Sequence, residues 1–203
     1  MSSFADTPTT NDAKPHHNGP VRRIITTHDP STGHATFLSD DTLHPFDPLT
    51  APDFQPPGPT SLGAFVEIHR TRSYPVNNLL PATDPHLHNP TSITDPSGPR
   101  CRIIDIPPGE VKAFWHRTVT LDYDIVLKGE LWIQLDNGEE KLCKQHDIVV
   151  MRGGMHAWVN KSTEVARFMA VLIPAEKVTM GDAEGLEETG IPESWASKNA
   201  LEG

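Results

Sequence analysis

The chain has 203 residues, 20 of them proline, and 17 Lys and Arg against 27 Asp and Glu give a formal charge of −10. That length suits one sizeable core, and the acidic balance without a basic patch argues against nucleic acid or anionic membrane as a partner. The opening residues hold no apolar run flanked by basic residues, and no later stretch reaches the ~18 apolar residues of a membrane span, so a soluble, cytoplasmic protein is expected.

Residues 1–19, including His16 and His17, are expected to be a disordered terminus. Sixteen of the 20 prolines precede position 100. Proline fixes φ and donates no ladder hydrogen bond, so runs such as "HPFDPLTAPDFQPPGPTS" read as irregular connectors. Between them lie three strand-like pieces rich in β-branched and aromatic residues: Val21 to Thr27, His34 to Asp40 and Gly63 to Ser73. These are expected to extend the edge of a later sheet, so that residues 20–98 pack on it. In the third piece Phe65, Glu67 and His69 share one face, which points either into a barrel mouth or to solvent. His86 and His88 in "PHLHNP" form an HxH arrangement, but without a nearby carboxylate they read as loop.

From Cys101 onward the texture changes to short strands at near-regular spacing, the cadence of an antiparallel barrel or sandwich. Leu131, Ile133 and Leu135 share one face of "ELWIQLD", which is therefore a core face. Asn137-Gly138 carries the signal of a type I′ hairpin turn. Cys101 and Cys143 form neither a disulfide framework nor a CxxC pattern and are expected as reduced structural thiols. The acidic tail, residues 175–203, is expected to hold a short helix, with Trp195 docking on the barrel.

"PPGEVKAFWHRTVTLDYDIVLKGELWIQLDNG" followed by "HDIVVMRGGMHAWVN" resembles the two linked motifs of the cupins. The resemblance spans residues 99–174 and implies an all-β fold: a cupin-type antiparallel β-barrel (jelly roll), here with N-terminal extra strands and a short C-terminal helical tail. Aligned on the "VLKG" turn, His116 matches the first motif histidine, Thr118 stands where the second belongs, and Asp122 replaces the motif glutamate. Asp147, Gly153, His156 and Asn160 match the second motif, while His146 replaces its glycine and Met151 its proline. The pattern "HRTxTLDY…VLxGE…RGxxHAWxN" is similar to single-domain cupin oxidoreductases of filamentous-fungal polyketide clusters, including those making salicylaldehyde-type products. That similarity implies a tailoring step on a small aromatic or pre-aromatic polyketide.

Positions 116, 118, 120 and 122 share strand parity, so they point to one side of a regular strand. His116 and Asp122 then meet His156, brought across by strand pairing. Two imidazoles and a carboxylate suit a divalent ion such as Fe2+, Mn2+ or Zn2+; without metal the same three form an acid/base site or a buried hydrogen-bonded cluster. Either way His116, Asp122 and His156 are the candidate catalytic residues. Thr118, Tyr123, Glu67, His69, Arg152 and Trp158 are the candidate pocket, with Trp115 and Trp132 read as packing. Three activities stay open: an oxidoreductase, a lyase, dehydratase, decarboxylase or isomerase using the same groups, and a non-catalytic binder of a small ligand. No nucleotide cofactor is expected. The partner is a small-molecule substrate, and the strands before residue 75 offer an edge for a homodimer.

Overall fold

In the computed structural model, which describes residues 16–50, 53–71, 73–78, 93–109, 113–180 and 185–190, the β-branched and aromatic runs form ten strands. They are β1 (Val21–His28), β2 (Ala35–Leu43), β3 (Ala64–Arg70), β4 (Arg100–Ile106), β5 (Thr120–Lys128), β6 (Glu130–Leu135), β7 (Glu140–Lys144), β8 (Ile148–Arg152), β9 (His156–Val159) and β10 (Ala166–Pro174). Five pair antiparallel in the order β3-β4-β10-β5-β8 and three in the order β7-β6-β9. Leu131, Ile133 and Trp158 from the smaller sheet share one core with Val126, Phe168, Ala170 and Leu172 from the larger. The Trp158 and Phe168 rings, 4.9 Å apart, join the two layers.

Register fixes what faces the interior. On central β10, Ala170 stands opposite Arg102 on one side and Asp124 on the other; the neighbouring row is Arg100, Leu172 and Asp122. Because successive side chains alternate faces, these two rows put charged groups from β4 and β5 inside the barrel, with β10 contributing apolar side chains between them.

Several expectations are corrected. Only β3 extends the larger sheet, whereas β1 and β2 pair with each other as a separate two-stranded sheet. Residues 16–19 are not loose: Asn18 donates its backbone N–H to Asp105 at 2.8 Å and its side-chain amide to the Val165 carbonyl. The Asn137-Gly138 turn is not type I′, because only Gly138 takes a positive φ, 86°. With Gly138 N–H donating to Leu135 O at 3.0 Å, it matches a type I turn followed by a left-handed glycine.

The described part of the tail, residues 175–180 and 185–190, holds no helix. Its two segments lie against each other, with Leu186 N–H donating to the Val178 carbonyl at 2.9 Å, and Thr189 exchanges backbone hydrogen bonds with Arg117, at 2.9 and 3.2 Å. Gly190 allows this approach: at φ 76° a Cβ there would lie 2.0 Å from the Trp115 carbonyl oxygen. Trp195, His86 and His88 lie outside the described residues. Cys101 and Cys143 are free thiols, and burial pushes the Cys101 thiol up to about 11. No helix among the described residues is long and apolar enough to cross a membrane.

Candidate active-site cavity

Between the two sheets lies a cavity of about 260 Å³. Phe65, Ile104, Phe114, Trp158, Phe168 and Leu172 supply much of its apolar wall, and Arg102, His116, Asp122, Asp124 and His156 bring charge and hydrogen-bonding capacity to it. An empty apolar cavity of ~150 Å³ holds a benzene ring. This one therefore has room for one substituted ring.

His116 and His156 reach the same wall through their backbones. An isolated antiparallel bridge pairs them, each N–H donating to the other's carbonyl at 3.0 Å. The rings lie 4.3 Å apart, and Phe114 stacks on His116 at 5.0 Å. Each Nδ1 donates to a backbone carbonyl, His116 to Phe114 at 3.2 Å and His156 to Gly154 at 2.9 Å. A carbonyl only accepts, so the proton is on Nδ1, and Nε2 is the nitrogen left for chemistry. Burial, then the neighbouring His156, pushes His116 down to about 4; burial also lowers His156. Both rings are neutral at physiological pH.

Asp122 and Asp124 stand on the inward face of β5 and are 4% and 3% exposed. Burial raises Asp122 to about 6, although hydroxyls of Thr120 and Thr118 and the Arg102 charge pull the other way. Asp124, buried and beside Asp122, is pushed well above the carboxylate range. Thr118 donates to Asp122 Oδ2 at 3.3 Å, and Oδ1 is buried without a hydrogen-bond partner. Across the floor, Arg102 donates to Glu67 at 2.9 Å and lies over the Phe65 ring.

The three-donor metal set expected from His116, Asp122 and His156 is not assembled. Among the described residues no three His, Cys, Asp or Glu side chains gather closely enough to hold an ion. The motif's second histidine is Thr118 here, and its hydroxyl engages the Asp122 carboxylate instead. Two imidazole nitrogens still suit a divalent ion chemically, so a divalent metal is compatible with this wall; a protein carboxylate does not complete the set.

The remaining candidates divide. Trp158 lines the cavity. Thr118 is 1% exposed, packed behind Asp122 rather than on the cavity surface. Tyr123 is 40% exposed, because its odd position on β5 turns it outward, and Arg152 is also exposed. A bulge between Glu67 and His69 breaks their shared parity: Glu67 turns inward to bind Arg100 and Arg102, and His69 is exposed. Arg102, Asp124 and Phe114 were not singled out from the sequence. Asp124 shares parity with Asp122 and was findable; Arg102 depends on cross-strand register.

No family model matches the chain. Among curated proteins it is 38% identical to the oryzines biosynthesis cluster protein J of Aspergillus oryzae, over 52% of this chain and 59% of that protein. It is 35% identical to the cupin-domain-containing oxidoreductase virC of Hypocrea virens, over 50% of each. The chain is thus similar to cupin-domain-containing proteins over about half of its length. Its curated homologues are fungal biosynthetic-cluster proteins and cupin-domain-containing oxidoreductases at 35–39% identity. The chain spans about half the length of the curated relatives it matches. Among solved structures, an RmlC-like cupin with a double-stranded β-helix fold from Methanocaldococcus jannaschii is 23% identical with a TM-score of 0.34, over 38% of this chain and 71% of that one. The two histidine positions of the motif, 116 and 156, meet in this barrel; the carboxylate position faces the same cavity from the opposing sheet.

Proposed function

We propose that this protein is a tailoring enzyme of fungal secondary metabolism, an oxidoreductase by class, acting on a small aromatic or pre-aromatic intermediate inside the barrel. The observation carrying this reading is the meeting of His116 and His156 on one wall of a cavity otherwise lined largely by aromatic and aliphatic side chains. The oxidoreductase class is the one its curated homologues bear in their names.

The side chains themselves move protons. Each Nε2 accepts one, and Asp122, raised to about 6, exchanges one close to neutral pH, where general acid–base catalysis is most effective. The apolar wall excludes water and orients the ring. A second reading, dehydration, decarboxylation or isomerisation by the same groups, is favoured by the failure of Asp122 to join the two histidines as a metal set.

The test is mass spectrometry of what accumulates when the gene is removed from its producing cell. Accumulated and final products that differ by two hydrogens denote oxidation, by one water dehydration, by carbon dioxide decarboxylation, and by nothing isomerisation. Supplying back Asp122→Ala or His156→Ala should leave the intermediate in place. Full restoration by both variants would overturn the site.

A further inference from the structure

On the wall formed by His116, His156 and Asp122 the cavity's hydrogen-bonding capacity is chiefly that of acceptors, with protonated Asp124 and Arg102 as donors on its floor. The Phe114 and Gly154 carbonyls fix the Nδ1 protons of His116 and His156, so each ring turns a bare Nε2 lone pair toward the remaining space. Among the described residues neither Nε2 is hydrogen-bonded. Asp122 adds a third acceptor, the buried and unpartnered Oδ1. His156 and Asp122 are 2% and 4% exposed, so bulk water does not satisfy them freely. Buried acceptors left unmet are costly, and a ligand relieves that cost only by bringing donors.

We propose that the cavity's ligand is a neutral ring compound carrying at least two hydroxyl groups, one donating to Asp122 Oδ1 and another to the Nε2 lone pair of His116 or His156. This rests on the cavity being the functional site and names the substrate class it selects. A carboxylate set against these three atoms would oppose lone pair to lone pair. The cation that also lines the cavity, Arg102, is already engaged by Glu67. The apolar body of the ring packs between Phe114, Trp158 and Phe168, and a volume of about 260 Å³ limits it to one substituted ring.

Calorimetry on the full chain with three probes of similar size tests this. Orcinol carries two hydroxyls, 3,5-dimethoxytoluene has the same oxygens without donors, and 3-methylbenzoate is an anion. Orcinol should bind about tenfold or more tightly than its dimethyl ether, the loss expected when two buried acceptors go unmet. The ratio should fall toward one in His116→Phe and in Asp122→Ala, each checked for an intact fold by circular dichroism; either folded variant suffices.

Equal binding of the ether, tighter binding of 3-methylbenzoate, or an unchanged ratio in both variants would overturn the proposal. So would one equivalent of iron, manganese or zinc in the purified protein that is lost in His116→Ala, because the lone pairs would then be occupied. If orcinol and the ether bind equally and both are lost in Ala170→Leu, the donor inference fails while the cavity stands as the site. If no probe binds, both readings fall.

Discussion

The imidazoles of His116 and His156 lie 4.3 Å apart on backbones that exchange two hydrogen bonds of 3.0 Å. At that separation inside a barrel, protonating either ring buries a charge, and protonating both sets like charges together. An unfolded histidine, by contrast, takes up its proton near pH 6.5. Stability contributed by the neutral pair is therefore complete above about pH 6.5 and is lost as pH falls toward 4, the value to which His116 is lowered. The loss from His116 alone is about 3 kcal/mol. Melting temperatures of wild type should fall between pH 7 and 4.5, with a shallower slope in His116→Leu. NMR should show His116 titrating near 4 and His156 below the ordinary histidine value.

Asp122 has the opposite sign. Its folded value, raised to about 6, exceeds the model carboxylate value of 3.8. The folded state thus holds a proton that the unfolded chain releases, and the associated stability is present below about pH 4 and lost as pH rises through 6. Asp122→Asn removes the buried charge while keeping the shape and an acceptor for Thr118. It should stabilise the protein at pH 7.5 by up to about 3 kcal/mol, with the gain vanishing at pH 4. Thermal melts at the two pH values read this directly; equal shifts at both would show that ionisation is not the cause.

Ala170 separates Arg102 from Asp124 on the cavity floor and lines the cavity. Ala170 belongs to the core as well as to the cavity wall, so leucine there should cost, by thermal melt, no more than the about 1–3 kcal/mol of overpacking a filled core. Ligand binding, and turnover once the substrate is known, should drop by about tenfold or more.

The parity of β5 was legible in the sequence, and it placed Asp122 inside. Tyr123 stands among the candidate pocket residues although its odd position sets it on the other face of the strand, and the structure turns that ring outward. The meeting of the two histidines followed from the motif positions. What local pattern did not carry was register. Arg102 and Asp124 share one inward row only because β10 inserts between β4 and β5 with Ala170 opposite both. One bulged residue in β3 divided Glu67 from His69, a shift that alternation alone does not reveal.

Glu67 holds Arg100 at 2.8 Å and Arg102 at 2.9 Å, with all three side chains almost fully buried. Burial, with Arg102 close by, lowers the Arg100 guanidinium to about 10, so its charge is retained but costly. Glu67→Leu leaves two buried cations without their shared anion and should lose about 3–5 kcal/mol, read as a fall in denaturant midpoint. Glu140→Leu breaks a pair with Lys161 of similar length, 2.8 Å, but on the exposed surface. Water and salt screen that pair, and its midpoint should stay near wild type.

His146 occupies the position where the second cupin motif carries glycine, and it adopts a φ of 78°. Its N–H donates to Val126 O at 2.8 Å, and the next residue, Asp147, accepts the Lys144 N–H on its carboxylate, so the tight turn into β8 is imposed by its surroundings. An L side chain is strained in that region, by about 1–3 kcal/mol at the upper end, and glycine is not. Because glycine also loses more backbone entropy on folding, the net gain from His146→Gly should be about 1 kcal/mol. For a chain of this size that raises the melting temperature by ~2–4 °C. His146→Ala separates the two causes: alanine retains the Cβ that makes the left-handed backbone costly, so it should not reproduce the gain. A rise with alanine as large as with glycine would assign the effect to the imidazole rather than to the backbone.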